Sequence, residues 1–147
     1  MHKARLGFTN VVFHQQFEGP VGYFTLANDA IKLNDSEKFE LGFGEQVELA
    51  AFPAVKIGRL AVHQDLHRKG VGVVLMTLLL GDILNTAGLS AARLIVVDAD
   101  NDDAVLRFYE KLGFETSLWA EEMARNHTKK RAKPQTIKMH RDVFKGL

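Results

Sequence analysis

Three stretches place residues of a chemically useful kind at useful spacings. In HRKGVG, His67 to Gly72, two glycines one residue apart follow a basic triplet and precede the apolar run VVLMTLLLGDIL. That run predicts a helix buried on most of its circumference, so the glycines stand where a loop becomes the helix's first turn. A helix start offers N–H groups without partners and the positive end of the macrodipole. Glycine there lets the backbone approach a bulky anion with no Cβ in the way, and basic neighbours add a field of the same sign. The stretch therefore has the make-up of an anion cradle. The second stretch, NDDAVLRFYEKLGF from Asn101 to Phe114, carries Tyr109, a possible proton donor. On spacing alone Tyr109 fits a core role equally well, because Ala104, Val105, Phe108 and Leu112 form a helical stripe around it. The third stretch, RLAVHQDL from Arg59 to Leu66, leads directly into the cradle.

Other spacings carry less. His63 and His67 stand four apart, but across a strand end and a loop and with no third ligand, so no zinc site is expected. Asp98, Asp100 and Asp102 match the opening of a calcium loop, yet Asp103 stands where its glycine belongs and Tyr109 where its glutamate belongs. They read instead as acids at a strand end and a helix N-terminus, where the dipole favours them. No metal is expected. His14 and His140 read as structural or surface residues, and Trp119 as an anchor for the segment that follows it.

The elements that must position these groups follow from pattern and punctuation. Thr9 to Gln16 and Val21 to Leu33 read as two strands of a hairpin turning at Glu18-Gly19-Pro20. Leu33 to Gln46 is polar and glycine-bearing, hence a loop. Val47 to Gln64 is a long strand that Pro53 should break or confine to an edge, with its stronger part at Val55 to His63. The helix after the cradle should reach about Ala87, with Gly88 in the left-handed position behind it. ARLIVVDAD, Ala92 to Asp100, is apolar enough to be buried on both faces. Asn101 or Asp102 caps the next helix and Gly113 ends it. Phe114 to Trp119 suggests another strand, Ala120 to Lys133 a short exposed helix or loop, and Gln135 to Phe144 a last strand.

Bulk properties narrow the class. A length of 147 residues suits one domain, 1–147, with a real core, and 46% apolar with 25% charged residues excludes a wholly disordered chain. Without cysteine there is no disulfide, thiolate metal site or cysteine nucleophile, which suits a reducing, cytoplasmic setting. No apolar run approaches the roughly 20 residues of a membrane span, and the opening MHKARLGF lacks a signal-peptide apolar core. No membrane partner is expected. Acids outnumber bases between Glu18 and Glu48, whereas residues 125–141 contain no acid at all. Such a run is usually a solvated face and otherwise a contact with an anionic partner.

In this order and at this separation, the strand ending RLAVHQDL, the cradle HRKGVG and the N-x-x-A-x-x-x-F-Y-x-x-x-G-F segment resemble the GNAT superfamily of acetyl-CoA-dependent N-acetyltransferases, over roughly Val55 to Phe114. The resemblance implies an α/β (α+β) fold: a mixed, mostly antiparallel sheet with a central splayed parallel strand pair and flanking helices. The N-terminal strand and helices of the family would be shortened here, since eight residues precede Thr9. It implies that the cradled anion is the pyrophosphate of coenzyme A, with His67, Arg68, Lys69, Gly70, Val71 and Gly72 around it. Leu60, Ala61 and Val62 would line the thioester arm, and Asn101 and Tyr109 would approach the pantetheine and sulfur. A backbone N–H near Val62 would serve the oxyanion, and Tyr109 would be the general acid.

Two departures from the family stand out. His67 occupies a position usually held by glutamine or arginine. Many relatives carry a glutamate base near the position of Gly58-Arg59, and no carboxylate lies between Glu48 and Asp65 here. Water then takes the proton, or the acceptor amine is already largely neutral; an α-amine, with pKa of about 7.7 to 8.0, suits that better than a lysine at about 10.4. The acceptor pocket would be open, built by a partner subunit, or built by Trp119 to Lys133. More narrowly, VGYFTLA together with IGRLAV is similar to the GNAT toxins of toxin-antitoxin modules, which acetylate the α-amine of aminoacyl-tRNA. That likeness implies tRNA contact through the basic 125–141 segment, Lys129 to Lys133 above all, and an antitoxin partner. A homodimer is the family's habit. A non-catalytic acyl-CoA-binding module is the reading from another class.

Overall fold

The computed structural model describes residues 7–85, 91–127 and 133–146. Among these residues six strands form one sheet in the order β1-β2-β3-β4-β6-β5: β1 (Phe8–Phe13), β2 (Pro20–Ile31), β3 (Phe52–Val62), β4 (Leu94–Asp100), β5 (Glu115–Thr116) and β6 (Thr136–Asp142). Only β3 and β4 run parallel. Helices α1 (Asp35–Glu40), α2 (Val71–Asn85), α3 (Asp103–Lys111) and α4 (Leu118–His127) complete the fold. The expected α/β architecture with a central parallel pair is present.

Period-2 alternation sends the two sides of each strand into different clusters. Phe24, Leu26, Ile57, Ile95, Val97 and Ala99 pack beneath α2 and α3. On the other face Ile31, Phe52, Ala54, Leu94 and Val96 form a smaller core with Leu33, Leu41 and Phe43. This second core covers only one end of its face. Among the described residues, no such apolar cluster covers the end towards Val62 and Asp100.

Four local expectations are corrected. Within the expected loop at Leu33 to Gln46 lies α1, closed by a capping box: Asn34 Oδ1 accepts from Glu37 N at 2.8 Å, and Glu37 Oε1 accepts from Asn34 N at 3.2 Å. Pro53 does not break β3, because it sits one residue inside the strand's start, where a missing donor costs one terminal bond. The strand expected over Phe114 to Trp119 stops at Thr116, since Ser117 Oγ accepts from Ala120 N at 3.2 Å and starts α4. Finally, α2 is buried on one face only, through Leu75, Met76, Leu79 and Ile83, while Val73, Val74 and Leu78 are about half exposed. A helix lying on a single sheet face can bury one stripe, however apolar its circumference. The expected end near Ala87-Gly88 falls outside the described residues.

Glu37 links the far ends of this architecture. Its buried carboxylate accepts from the backbone N–H groups of Leu118 (3.2 Å) and Trp119 (3.0 Å) and from His140 Nε2 (2.8 Å). One side chain thereby caps α4 and ties α1 to β6. Trp119 anchors its segment as expected, with Lys32 Nζ over its ring at 5.2 Å.

Candidate functional site

The parallel pair comes apart halfway along. β3 and β4 are in register from Ala54↔Leu94 to Ile57↔Val97, and there the pairing ends, although β2 follows β3 to Val62 and β6 follows β4 to Asp100. The cause is visible at Gly58. Thr25 pairs with Arg59 and Leu26 with Ile57, so Gly58 is the extra residue of a β-bulge, and a bulged strand bends. A Cβ at Gly58 would stand 2.8 Å from Thr25 Oγ1, so glycine is what the bend tolerates. Beyond the bulge, no described strand pairs with β3 from Gly58 to Val62 on its β4 side. A cleft of about 780 Å³ opens between the strands, its walls including Leu60, Ala61, Val62, Val97, Ala99 and Tyr109.

The cradle closes one mouth of this cleft. After Val62 a 3-10 turn (Gln64–Leu66) leads into Arg68 at φ 63° and Gly70 at φ 76°. No atom lies within 4 Å of a Cβ built on Gly70, so glycine answers there to backbone conformation and not to crowding. Gly72 is the reverse case, since its Cβ would meet the Phe108 ring at 3.3 Å; its absence lets α2 begin close against α3. The first intrahelical bond, Val74 N to Gly70 O at 3.3 Å, leaves the N–H groups of Val71, Gly72 and Val73 unused by the helix and directed ahead of it. His67 Nε2 donates to Val62 O at 2.9 Å and so fastens the cradle to the end of β3.

Tyr109 lines the cleft from α3. It is 8% exposed, its ring packs edge-on against Phe108 (5.2 Å) and Phe114 (5.4 Å), and its hydroxyl makes no hydrogen bond to the described protein. Burial first, and the charge of Asp100 second, hold the phenol above its ordinary pKa of 10.0. It is therefore protonated at neutral pH.

Of the residues singled out from the sequence, Leu60, Ala61, Val62, His67, Arg68, Gly70, Val71, Gly72 and Tyr109 meet around this one cleft. Lys69 and Asn101 do not reach its wall. Asn101 Nδ2 donates instead to Pro134 O at 2.9 Å, pinning the start of β6. Sequence reasoning missed Tyr23, Arg59, Asp98 and Asp100, which stand on the second sheet face at the other mouth. Asp98 is bridged by Lys56 (2.7 Å) and Lys138 (3.1 Å); burial opposes its charge, but the two lysines prevail and keep it below its ordinary pKa. That makes it a weak base. Asp100 forms no ion pair within 4 Å among the described residues.

The rings of His63 and His67 are each engaged by local backbone, and the described residues contain no cluster of three or more metal-ligating side chains. No helix among them is long and apolar enough to cross a membrane. Of the basic 125–141 segment, residues 128–132 lie outside the described residues.

Comparison with known proteins follows the same geometry. No curated protein matches the chain in sequence. Among solved structures it is similar to AtaT complexed with acetyl-methionyl-tRNAfMet (TM-score 0.62, 17% identity, 84% of this chain and 63% of that one). It is also similar to AtaTR bound with acetyl-CoA (0.64, 16%, 94% and 71%) and to a KacTA–DNA complex (0.62, 15%, 97% and 71%). At these identities the likeness is one of fold, and the chain spans less than two thirds of the AtaT chain in the tRNA complex. The model of the acetyltransferase (GNAT) domain matches residues 12–116, which contain the bulged strand, the cradle and Tyr109, and the chain belongs to the GNAT acetyltransferase family.

Proposed function

We propose that the protein is an N-acetyltransferase that moves the acetyl group of acetyl-CoA to a primary amine by direct attack within a ternary complex. The observation that carries this reading is the cleft itself: a free β3 edge, an unobstructed row of N–H donors at the start of α2, and a protonated tyrosine face one volume. Bound there, acetyl-CoA would supply the acyl group and a thiolate leaving group. The backbone of Arg68 to Gly72 would hold the pyrophosphate, and the N–H and C=O groups of Gly58 to Ala61 that β2 leaves free would receive the pantetheine amides as a neighbouring strand would. A backbone N–H near Val62 would meet the oxyanion that forms at the acetyl carbon. Tyr109 would give its proton to the departing sulfur. The side chains of Lys69 and Asn101 have no part in this scheme, because neither residue lines the cleft.

Proton removal from the amine has no dedicated carboxylate on β3. With Asp98 held ionised between two lysines, water or Asp100 would take the proton, and an amine of lowered pKa suits that arrangement best. This supports a narrower reading, in which the acceptor is the α-amine of aminoacyl-tRNA and an antitoxin restrains the protein. The shared fold with AtaT, solved with acetyl-methionyl-tRNAfMet, favours it further.

The test offers purified protein labelled acetyl-CoA and a pool of charged tRNA, polyamines, amino acids and peptides. Label in charged tRNA that disappears on deacylation establishes the narrower reading, and label in another amine sets the acceptor class. Bound acetyl-CoA with no transferred label would overturn catalysis and leave an acyl-CoA-binding module.

A further inference from the structure

The mouth of the cleft opposite the cradle lies on the second sheet face, and its charges are not alike. Beside it, Lys56 and Lys138 share Asp98 at 2.7 and 3.1 Å. Arg59 differs. It lines the cleft, it is exposed, and among the described residues its guanidinium has neither an ion pair nor a hydrogen bond. Asp100, on β4 across the cleft, lies beyond 4 Å of it and does not neutralise it.

The bulge fixes where Arg59 points. Ile57 and Leu60 both pack under α2 and α3, so the extra residue between them leaves Gly58 and Arg59 on the opposite face, with Arg59 paired to Thr25 and Ala61 to Tyr23. At about 3.3 Å per residue, Arg59 is about 10 Å along the strand from Val62, where the acetyl carbonyl would lie. Much of that distance is spanned by the arginine side chain, and the remainder suits an amine and an anion on one small acceptor. Val11, half exposed and paired to Tyr23, adds apolar surface on the same face.

Given the proposed acetyl transfer in this cleft, we infer that Arg59 is the acceptor's anion receptor, so that the amine acetylated carries a carboxylate or phosphate group beside it. A planar fork of donors binds either oxyanion in the same way. The anion stays outside the reacting atoms. Arg59 therefore acts on acceptor affinity and leaves the acyl chemistry to others.

The experiment measures binding to the CoA-saturated protein by calorimetry, which does not require turnover. Three probes share an isobutyl group and a free amine: isoamylamine with no anion, leucine with a carboxylate, and leucine joined by a stable amide to the 3′ end of the dinucleotide CpA, with a phosphodiester. At low salt the wild type should bind at least one anionic probe about 10- to 100-fold more tightly than isoamylamine. Arg59→Gln should erase that preference, Arg59→Lys should keep part of it, and CoA affinity should stay within twofold in both. Whichever anionic probe carries the preference identifies the source of the anion. Equal affinity for all three probes in the wild type, or a preference that survives Arg59→Gln, would overturn the inference. Label transfer in the same samples reads the acetyltransferase proposal separately, because a protein that binds the probes selectively without acetylating them fails that proposal and not this one.

Discussion

Replacing Tyr109 with phenylalanine separates chemistry from packing more cleanly than any other single change in this molecule. The substitution removes one oxygen. Both edge-on ring contacts, to Phe108 and Phe114, remain, and no hydrogen bond to the described protein is lost. The change in folding stability should therefore stay below about 1 kcal/mol, since there is no bond to break and a buried hydroxyl costs desolvation. Loss of a general acid, in contrast, costs roughly 10²- to 10⁴-fold in turnover, or about 2.7 to 5.4 kcal/mol of barrier. The assay is single-turnover formation of CoA thiol from pre-bound acetyl-CoA with saturating amine, alongside Tm and acetyl-CoA affinity. Turnover should fall by that range while Tm and affinity hold. Tyr109→Ala should instead lose about 3 to 5 kcal/mol of stability with the ring. A Tyr109→Phe rate equal to wild type, with the chemical step shown to limit, would refute the reasoning and leave Tyr109 a core residue.

Three other changes test the supporting structure. Gly70→Ala forces a side chain to φ 76° at about 1 to 2 kcal/mol and should weaken acetyl-CoA binding roughly tenfold while leaving acetyl-pantetheine, which lacks the pyrophosphate, within twofold. Glu37→Ala strands the buried His140 donor and uncaps α4, costing on the order of 3 kcal/mol in denaturant melts with little change in acetyl-CoA affinity. The hydrogen bonds from Arg93 hold the carboxyl of Asp142 below its ordinary 3.8. A folded pKa below the unfolded one means stability that is present above about pH 3.8 and lost as pH falls through the lower folded value, so Asp142→Asn should flatten the acid limb of a stability–pH profile.

Legibility from sequence followed the range of the interactions involved. The cradle, α3 and β4 could be read because each rests on local signals: glycine spacing, an Asp102 cap that accepts from Ala104 N and Val105 N, and a short apolar run. α1 was missed despite an equally local signal, the Asn34 to Glu37 capping box, because its polar residues were weighed as loop composition. The second mouth of the cleft could not be read. Arg59 looks like any strand residue until the Gly58 bulge is known, and that bulge exists only in the pairing with Thr25 and Leu26, more than thirty positions away. Asn101 shows long-range structure from the other side. The family resemblance implied a contact with the pantetheine, whereas its amide donates to the carbonyl of Pro134, a partner distant in sequence.

The central claim is that the gap between β3 and β4 is the acetyl-CoA site, and a crystal structure of the protein with acetyl-CoA tests it most directly. The account predicts pantetheine amides bonded to the β3 backbone between Gly58 and Val62, the pyrophosphate on the N–H groups of Arg68 to Gly72, and the Tyr109 hydroxyl within hydrogen-bond reach of the sulfur. Coenzyme bound elsewhere, with the cleft empty or closed by β3–β4 pairing beyond Ile57 and Val97, would contradict it.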